Sequence, residues 1–211
     1  TFARLKRNNV LENNIKPGNV IIGVASYGKS NYEDKYNSGI GSNGLTSGRH
    51  DTLSKKIMEK YPDSFDPNVP DEVVYTGKHD PLDTSSVDGM SIGELLLSPT
   101  RTYLPLLQRL FSEYRDAIDG IIHCTGGAQT KVLHFVEGVE IIKNDLLPTP
   151  DIFKIIQNSS GTSWKEMYQV FNMGHRLELY VDEKESQSIL DLIHSFKLEA
   201  KIIGEVRKST N

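Results

Sequence analysis

The sequence predicts an α/β domain, a mixed β-sheet flanked by helices. Three observations carry that prediction. Short β-branched apolar runs alternate along the chain with stretches whose apolar residues recur at helical spacing, as expected of strands and helices packed in layers. Two glycine-bracketed turns, Gly41-Ser42-Asn43-Gly44 and Thr125-Gly126-Gly127, each follow such a run, the first after an intervening loop, and each is placed to open a helix. A length of 211 residues, 37% hydrophobic and 25% charged, is enough for one substantial core, so a single domain is expected over residues 1–211.

The elements follow in order. Residues 19–25 form a β-branched run entered from Pro17-Gly18, which reads as a buried strand. Residues 29–40 are polar, rich in Asn, Tyr and Gly, and have neither period, so they form a loop. A helix should start after Gly44 and run through Leu53, Ile57 and Met58 to about Tyr61, where Pro62 stops it. Residues 62–89 are rich in proline and acids around one apolar patch, Val73-Val74-Tyr75, and read as a lid-like excursion or an insertion. Ser98 is a candidate N-cap with Pro99 at the first helical position, and Leu104, Leu107, Leu110 and Phe111 give that helix an apolar face to about Ile118.

Residues 121–124 make a second strand, and the Thr125-Gly126-Gly127 turn leads into a helix carrying Val132, Leu133 and Phe135. A third strand at 139–142 precedes helices at 151–157 and 163–170, the latter with Ser163 and Glu166 spaced as a capping box. A strand at 177–181, an amphipathic helix at 183–196 and a strand at 200–206 close the domain. The alternation implies several parallel crossovers and helices on at least one face of the sheet.

Composition narrows the function. A formal charge of -4 supplies no basic field for nucleic acid or an anionic membrane, so neither is an expected partner. Cys124 is the single cysteine, so no internal disulfide can form, and a cytoplasmic address is expected. No apolar run approaches the ~20 residues of a membrane helix. The chain opens on Thr1 without an initiator methionine, so either processing has removed a segment or the chain begins inside a longer polypeptide.

The two turns are the candidate chemistry. A strand that ends in small residues and opens a helix aims backbone N–H groups and the positive end of the helix dipole at whatever sits in the turn, a site for phosphate or a developing oxyanion. Thr125, Gly126 and Gly127 supply one such cradle, and Ser42, Asn43 and Gly44 the other; each also reads as an ordinary tight turn or N-cap. His123 is a candidate general acid or base, or a packed histidine. Cys124 points to the opposite strand face and reads as core. Arg101 is a candidate anion clamp or an exposed arginine. No His, Cys, Asp or Glu grouping has structural-metal spacing, so no metal site is expected.

In order, Lys16 to Gly28, Gly41-Ser42-Asn43-Gly44-Leu45, Leu97-Ser98-Pro99-Thr100-Arg101-Thr102-Tyr103, His123-Cys124-Thr125-Gly126-Gly127, Phe171-Asn172-Met173-Gly174 and Ile203-Gly204-Glu205-Val206 resemble the C-terminal half of aminoimidazole ribonucleotide (AIR) synthetase, the phosphoribosylformylglycinamidine cyclo-ligase family. The resemblance implies a purine-biosynthesis enzyme that uses ATP to activate the formyl amide oxygen of formylglycinamidine ribonucleotide, so that an internal nitrogen closes the imidazole ring and ADP and phosphate leave. It implies that ATP and Mg²⁺ are bound mainly by an N-terminal domain that this chain lacks, that the full-length enzyme is a homodimer, and that this part alone does not turn over. Carried over by residue, Ser42, Asn43, Gly44, Arg101, Thr125, Gly126 and Gly127 face the phosphorylated ribonucleotide, His123 matches the family pattern, and Asn172 helps to shape the cleft. Many family members have histidine where this chain has Gly41, so no acid/base role passes to that position. Two alternatives stay open: a related ATP-dependent enzyme of the formylglycinamidine synthase, selenophosphate synthetase or thiamine-phosphate kinase type, or a non-catalytic module that binds an anionic metabolite.

Overall fold

A computed structural model of the chain describes residues 4, 6–7, 10–87 and 89–210. Its strands are β1 (Asn19–Ala25), β2 (Ile118–His123), β3 (Val139–Lys143), β4 (His175–Asp182) and β5 (Ala200–Lys208). They form a five-stranded sheet in the order β2-β4-β1-β5-β3. Every pairing in that sheet is antiparallel. The parallel neighbours expected from the alternation are therefore replaced. β1, β2 and β3 do run in one direction and are joined by crossovers, but β4 and β5 are inserted between them and take all the ladder bonds.

β1 lies at the centre, which accounts for its unbroken apolar run: all seven residues are buried. Val20, Ile22 and Val24 face Leu106 and Leu110 of α4 (Leu104–Glu113) and Ile189 and Ile193 of α7 (Glu183–Ser195). Ile21 faces the other way, packing with Ile122, Tyr180, Ile203 and Val206. A further core contains no strand residue. It joins α1 (Leu45–Thr52), α2 (Lys55–Lys60), α3 (Ile92–Leu96), α5 (Asp151–Ser160) and α6 (Trp164–Val170) through Ile57, Leu95, Ile152, Phe153, Ile156, Met167 and Phe171.

Four local readings change, the first two because a distant segment intrudes. The helix expected from Gly44 to Tyr61 breaks at Leu53, which is extended and bridges His79, while the Ser54 N–H donates to the His79 carbonyl. Gly77 makes that approach possible, since a Cβ there would strike the Thr52 backbone. The helix expected from Pro99 begins only at Leu104, because Arg101 and Tyr103 are drawn back to the end of β1. The stretch after Gly127 is a seven-residue 3-10 helix, Ala128–His134, rather than an α-helix. Residues 62–89 are anchored rather than lid-like: Val74 and Tyr75 are fully buried, with the Tyr75 ring tilted on His50 and edge-on to Phe65. Just beyond them, α3 starts at a complete Ser91/Glu94 capping box. No helix among the described residues is long and apolar enough to cross a membrane.

Candidate functional site

The sheet brings the two turns together. β1 and β2 lie on either side of β4, so their C-terminal ends emerge beside its first residues: Ala25 pairs with His175, His123 pairs with Leu177, and the Cys124 N–H donates to the Arg176 carbonyl at 2.6 Å. This is the carboxyl edge of two same-direction strands, the usual place for ligands in open α/β sheets. A hollow of about 40 Å³ lies there, lined by Ile40, Ser42, Asn43, Thr100, His123, Cys124, Thr125, Asn172 and Arg176. Five sequence candidates therefore converge, Ser42, Asn43, His123, Thr125 and Asn172, although they come from three separate stretches of chain.

The other candidates stand elsewhere. Gly44 opens α1 in a left-handed conformation with φ of 77°, and a Cβ there would lie 2.6 Å from the Phe171 ring, so its role is close packing at the helix start. Gly126 and Gly127 do not line the hollow; they carry φ values of 58° and 98° and let the chain reverse after β2. The short 3-10 helix that follows provides little of the dipole an α-helix would have supplied.

Arg101 corrects the anion-clamp reading. It is 3% exposed, and its guanidinium is spent on the protein. Nε and Nη2 hold the two Glu33 oxygens at 2.8 and 2.7 Å, Nη1 donates to the Ala25 and Tyr27 carbonyls, and Nη2 also donates to the Gly28 carbonyl. With all five N–H bonds committed, no donor remains for a ligand. Burial would raise the Glu33 carboxyl, but the Arg101 hydrogen bond and charge hold it below its ordinary value.

Asn172 lines the hollow as a brace. Its Oδ1 accepts from Ser26 Oγ at 2.6 Å and from the Gly174 N–H, and its Nδ2 donates to the Gly39 carbonyl at 2.8 Å. Asn43 is likewise tied by Nδ2 to the Val170 carbonyl, at 2.7 Å. Ser42, Thr100 and His123 are exposed on the rim, as is Asn43. Partial burial of its ring lowers the His123 pKa, and the charges of Arg176 and Lys131 lower it further, which favours the neutral imidazole.

Besides Ile40 and Cys124, the latter read as core, the hollow holds two polar residues that sequence reasoning missed, Thr100 and Arg176. The signal for Arg176 was present: His175, Arg176 and Glu178 interrupt a strand pattern of Leu177, Leu179 and Val181, and all three polar side chains are at least 97% buried. Buried charge in a strand requires partners or a ligand. Glu178 has partners. Lys143 Nζ, at 2.5 Å, and His175 Nε2, at 3.0 Å, meet Oε1, while Tyr180 donates to Oε2 at 2.7 Å. Burial pushes its carboxyl up, but the His175 hydrogen bond and the Lys143 charge win and hold it at about 2.

Cys124 sits beside this network, and its sulfur, a His175 ring nitrogen and a Glu178 oxygen lie within 4.8 Å of one another, close enough to hold a metal ion. A cation there would have to displace the Lys143 ammonium already bound to Glu178. Burial, reinforced by the Glu178 charge, raises the Cys124 thiol, so it is no thiolate nucleophile. A larger hollow, about 600 Å³, lies at the opposite end of the sheet by Lys16, Asp119, Asp182 and Lys184, where the charges are already paired with one another and none of the candidates is present.

Residues 16–211 match the family model described as AIR synthase related protein, C-terminal domain. The phosphoribosylformylglycinamidine cyclo-ligase of Methanopyrus kandleri is 29% identical over 98% of this chain and 49% of its own length. That of Geobacter metallireducens is 30% identical over 99% of this chain and 51% of its own. The chain thus spans about half the length of the curated relatives it matches. Among solved structures, Escherichia coli HypE is similar, with a TM-score of 0.47 and 16% identity over 95% of this chain and 48% of that one. The chain belongs to the AIR synthase related family, of which residues 16–211 form the C-terminal domain.

Proposed function

We propose that this chain is the C-terminal, substrate-side half of a phosphoribosylformylglycinamidine cyclo-ligase, closing the imidazole ring of aminoimidazole ribonucleotide from formylglycinamidine ribonucleotide in purine biosynthesis. The observation that carries the proposal is the convergence of Ser42, Asn43, His123, Thr125 and Asn172 on one hollow at the carboxyl edge of β1 and β2. The relatives' names and the order of the motifs support the same reading.

The hollow is only slightly larger than a water molecule's share of liquid volume, ~30 Å³. It is therefore the floor of a cleft whose other wall belongs to the N-terminal half. Among the described residues no carboxylate lines it, so this half offers no Mg²⁺ ligand there. In this reading ATP and Mg²⁺ bind the N-terminal half of the same polypeptide, the full-length protein is a cytoplasmic homodimer, and this half alone is inactive.

The residues present suit the substrate side. As the ring closes, a nitrogen–carbon bond forms, the carbon–oxygen bond breaks with its oxygen leaving on phosphate, and the nitrogen loses a proton. The neutral imidazole of His123, exposed on the rim, is the group positioned to take that proton. The hydroxyls of Ser42, Thr100 and Thr125 supply donors for phosphoryl oxygens, where catalysis is mostly positioning and charge stabilisation. The test is ADP release by the full-length protein with and without formylglycinamidine ribonucleotide. Substrate-dependent release is expected; absent or substrate-independent release refutes the assignment.

A further inference from the structure

Arg176 stands apart from every other buried charge described above. It is 3% exposed, in the second position of β4, with its guanidinium under Gly41 at the floor of the hollow. Nη2 donates to the Gly39 carbonyl at 3.0 Å, but Nη1 is buried without a partner. Arg101 has Glu33 and Lys143 has Glu178, whereas among the described residues no carboxylate lines the hollow beside Arg176. A guanidinium that has given up water without gaining a counter-ion is costly, and an unpaired buried donor calls for an explanation.

We infer that Arg176 is the anion anchor of this cleft, binding an oxygen of a phosphate monoester through Nη1. This rests on the reading that the cleft faces a phosphorylated substrate. Size supports one oxygen rather than a whole phosphate inside: about 40 Å³ admits one water-sized atom. The remaining oxygens stay at the mouth, within reach of the rim hydroxyls of Ser42, Thr100 and Thr125, which donate without competing charge. The backbone cradle expected of Gly126 and Gly127 is thereby replaced by a side chain, since neither glycine lines the hollow. Placement on a strand that is hydrogen-bonded on both sides holds the guanidinium in position before the ligand arrives.

The experiment is calorimetric titration of the full-length protein with ribose 5-phosphate, and with inorganic phosphate in parallel. Wild type is expected to bind ribose 5-phosphate, Arg176→Met to bind it at least tenfold more weakly, and Arg176→Lys to fall between. In phosphate-free buffer Arg176→Met should melt no lower than wild type, because it removes an unpaired buried charge. A folded Arg176→Met protein with unchanged affinity, or a wild type that binds neither probe, overturns the inference.

Should the variant fail to fold, arginine side-chain NMR of the wild type decides: the Arg176 Nη resonances must shift on adding ribose 5-phosphate, and unmoved resonances at saturation refute it. Ribose 5-phosphate binding without substrate-dependent ADP release would sink the cyclo-ligase reading and leave the anchor standing. Turnover by Arg176→Met with unchanged KM would do the reverse.

Discussion

Replacing Arg101 with methionine separates a strut from a ligand clamp. The arginine is buried and holds three carbonyls at the end of β1, those of Ala25, Tyr27 and Gly28, together with both oxygens of Glu33. Methionine keeps much of the volume and none of the donors. The Glu33 side chain, 17% exposed, loses its partner, and breaking one side of a largely buried pair costs about 3–5 kcal/mol. Each carbonyl left without a donor adds up to ~1–3 kcal/mol, but these losses share one site and do not sum, because water reaches the Glu33 side.

A total of about 4 kcal/mol is expected, a large part of the ~5–15 kcal/mol that keeps a domain folded. With a urea slope of ~2.5 kcal/mol/M, the unfolding midpoint of the full-length protein should fall by roughly 1.5 M with the slope unchanged. Arg101→Lys should recover part of that loss, because it keeps the charge while its compact ammonium cannot span five acceptors. A midpoint within ~0.3 M of wild type, coupled to a tenfold loss of ribose 5-phosphate affinity, would refute the strut and restore the clamp.

Lys143→Met leaves the Glu178 carboxylate with only His175 and Tyr180, and should cost about 3–5 kcal/mol at neutral pH. Because the native Glu178 pKa is held below its ordinary 4.5, at about 2, its contribution is fully present above pH ~4.5 and is lost as pH falls toward 2. The acid limb of the midpoint-versus-pH curve should therefore move to higher pH in Lys143→Met, and parallel curves would refute the pairing. His123→Gln should lower kcat of the full-length enzyme by ~10²–10⁴ with KM little changed, and abolish an acid limb in kcat/KM lying below the ordinary histidine value. An unaltered pH profile would make His123 a bystander.

The parts of the fold that were legible are those whose cause is local. After Asn19, β1 carries no polar side chain because it is central and buried on both faces, and α7 shows its helical stripe because it packs on one of them. Ser163 caps α6 by accepting from the Glu166 N–H, one half of the capping box that its spacing implies. What escaped depends on partners far along the chain. Nothing near Leu53 announces that His79 will break its helix, and nothing near Ser98 shows that Arg101 will be pulled toward Glu33, 68 residues away. The antiparallel ladder was hidden for the same reason: the alternation of strands and helices records the crossovers but not which later strand fills the gap between them.

The position before the Ser42-Asn43 turn ties these strands of argument together. Read in sequence, Gly41 departs from the pattern that the family resemblance implies. In three dimensions its φ is 64°, and any Cβ would enter the Arg176 guanidinium, 135 residues further on. A side chain at 41 would therefore require the Arg176 guanidinium to move aside, and Gly41 leaves it in place. The guanidinium sits at the start of β4, where it is always charged. The site therefore pairs a fixed positive charge at Arg176 with His123, the titrating side chain exposed on the hollow's rim among the described residues.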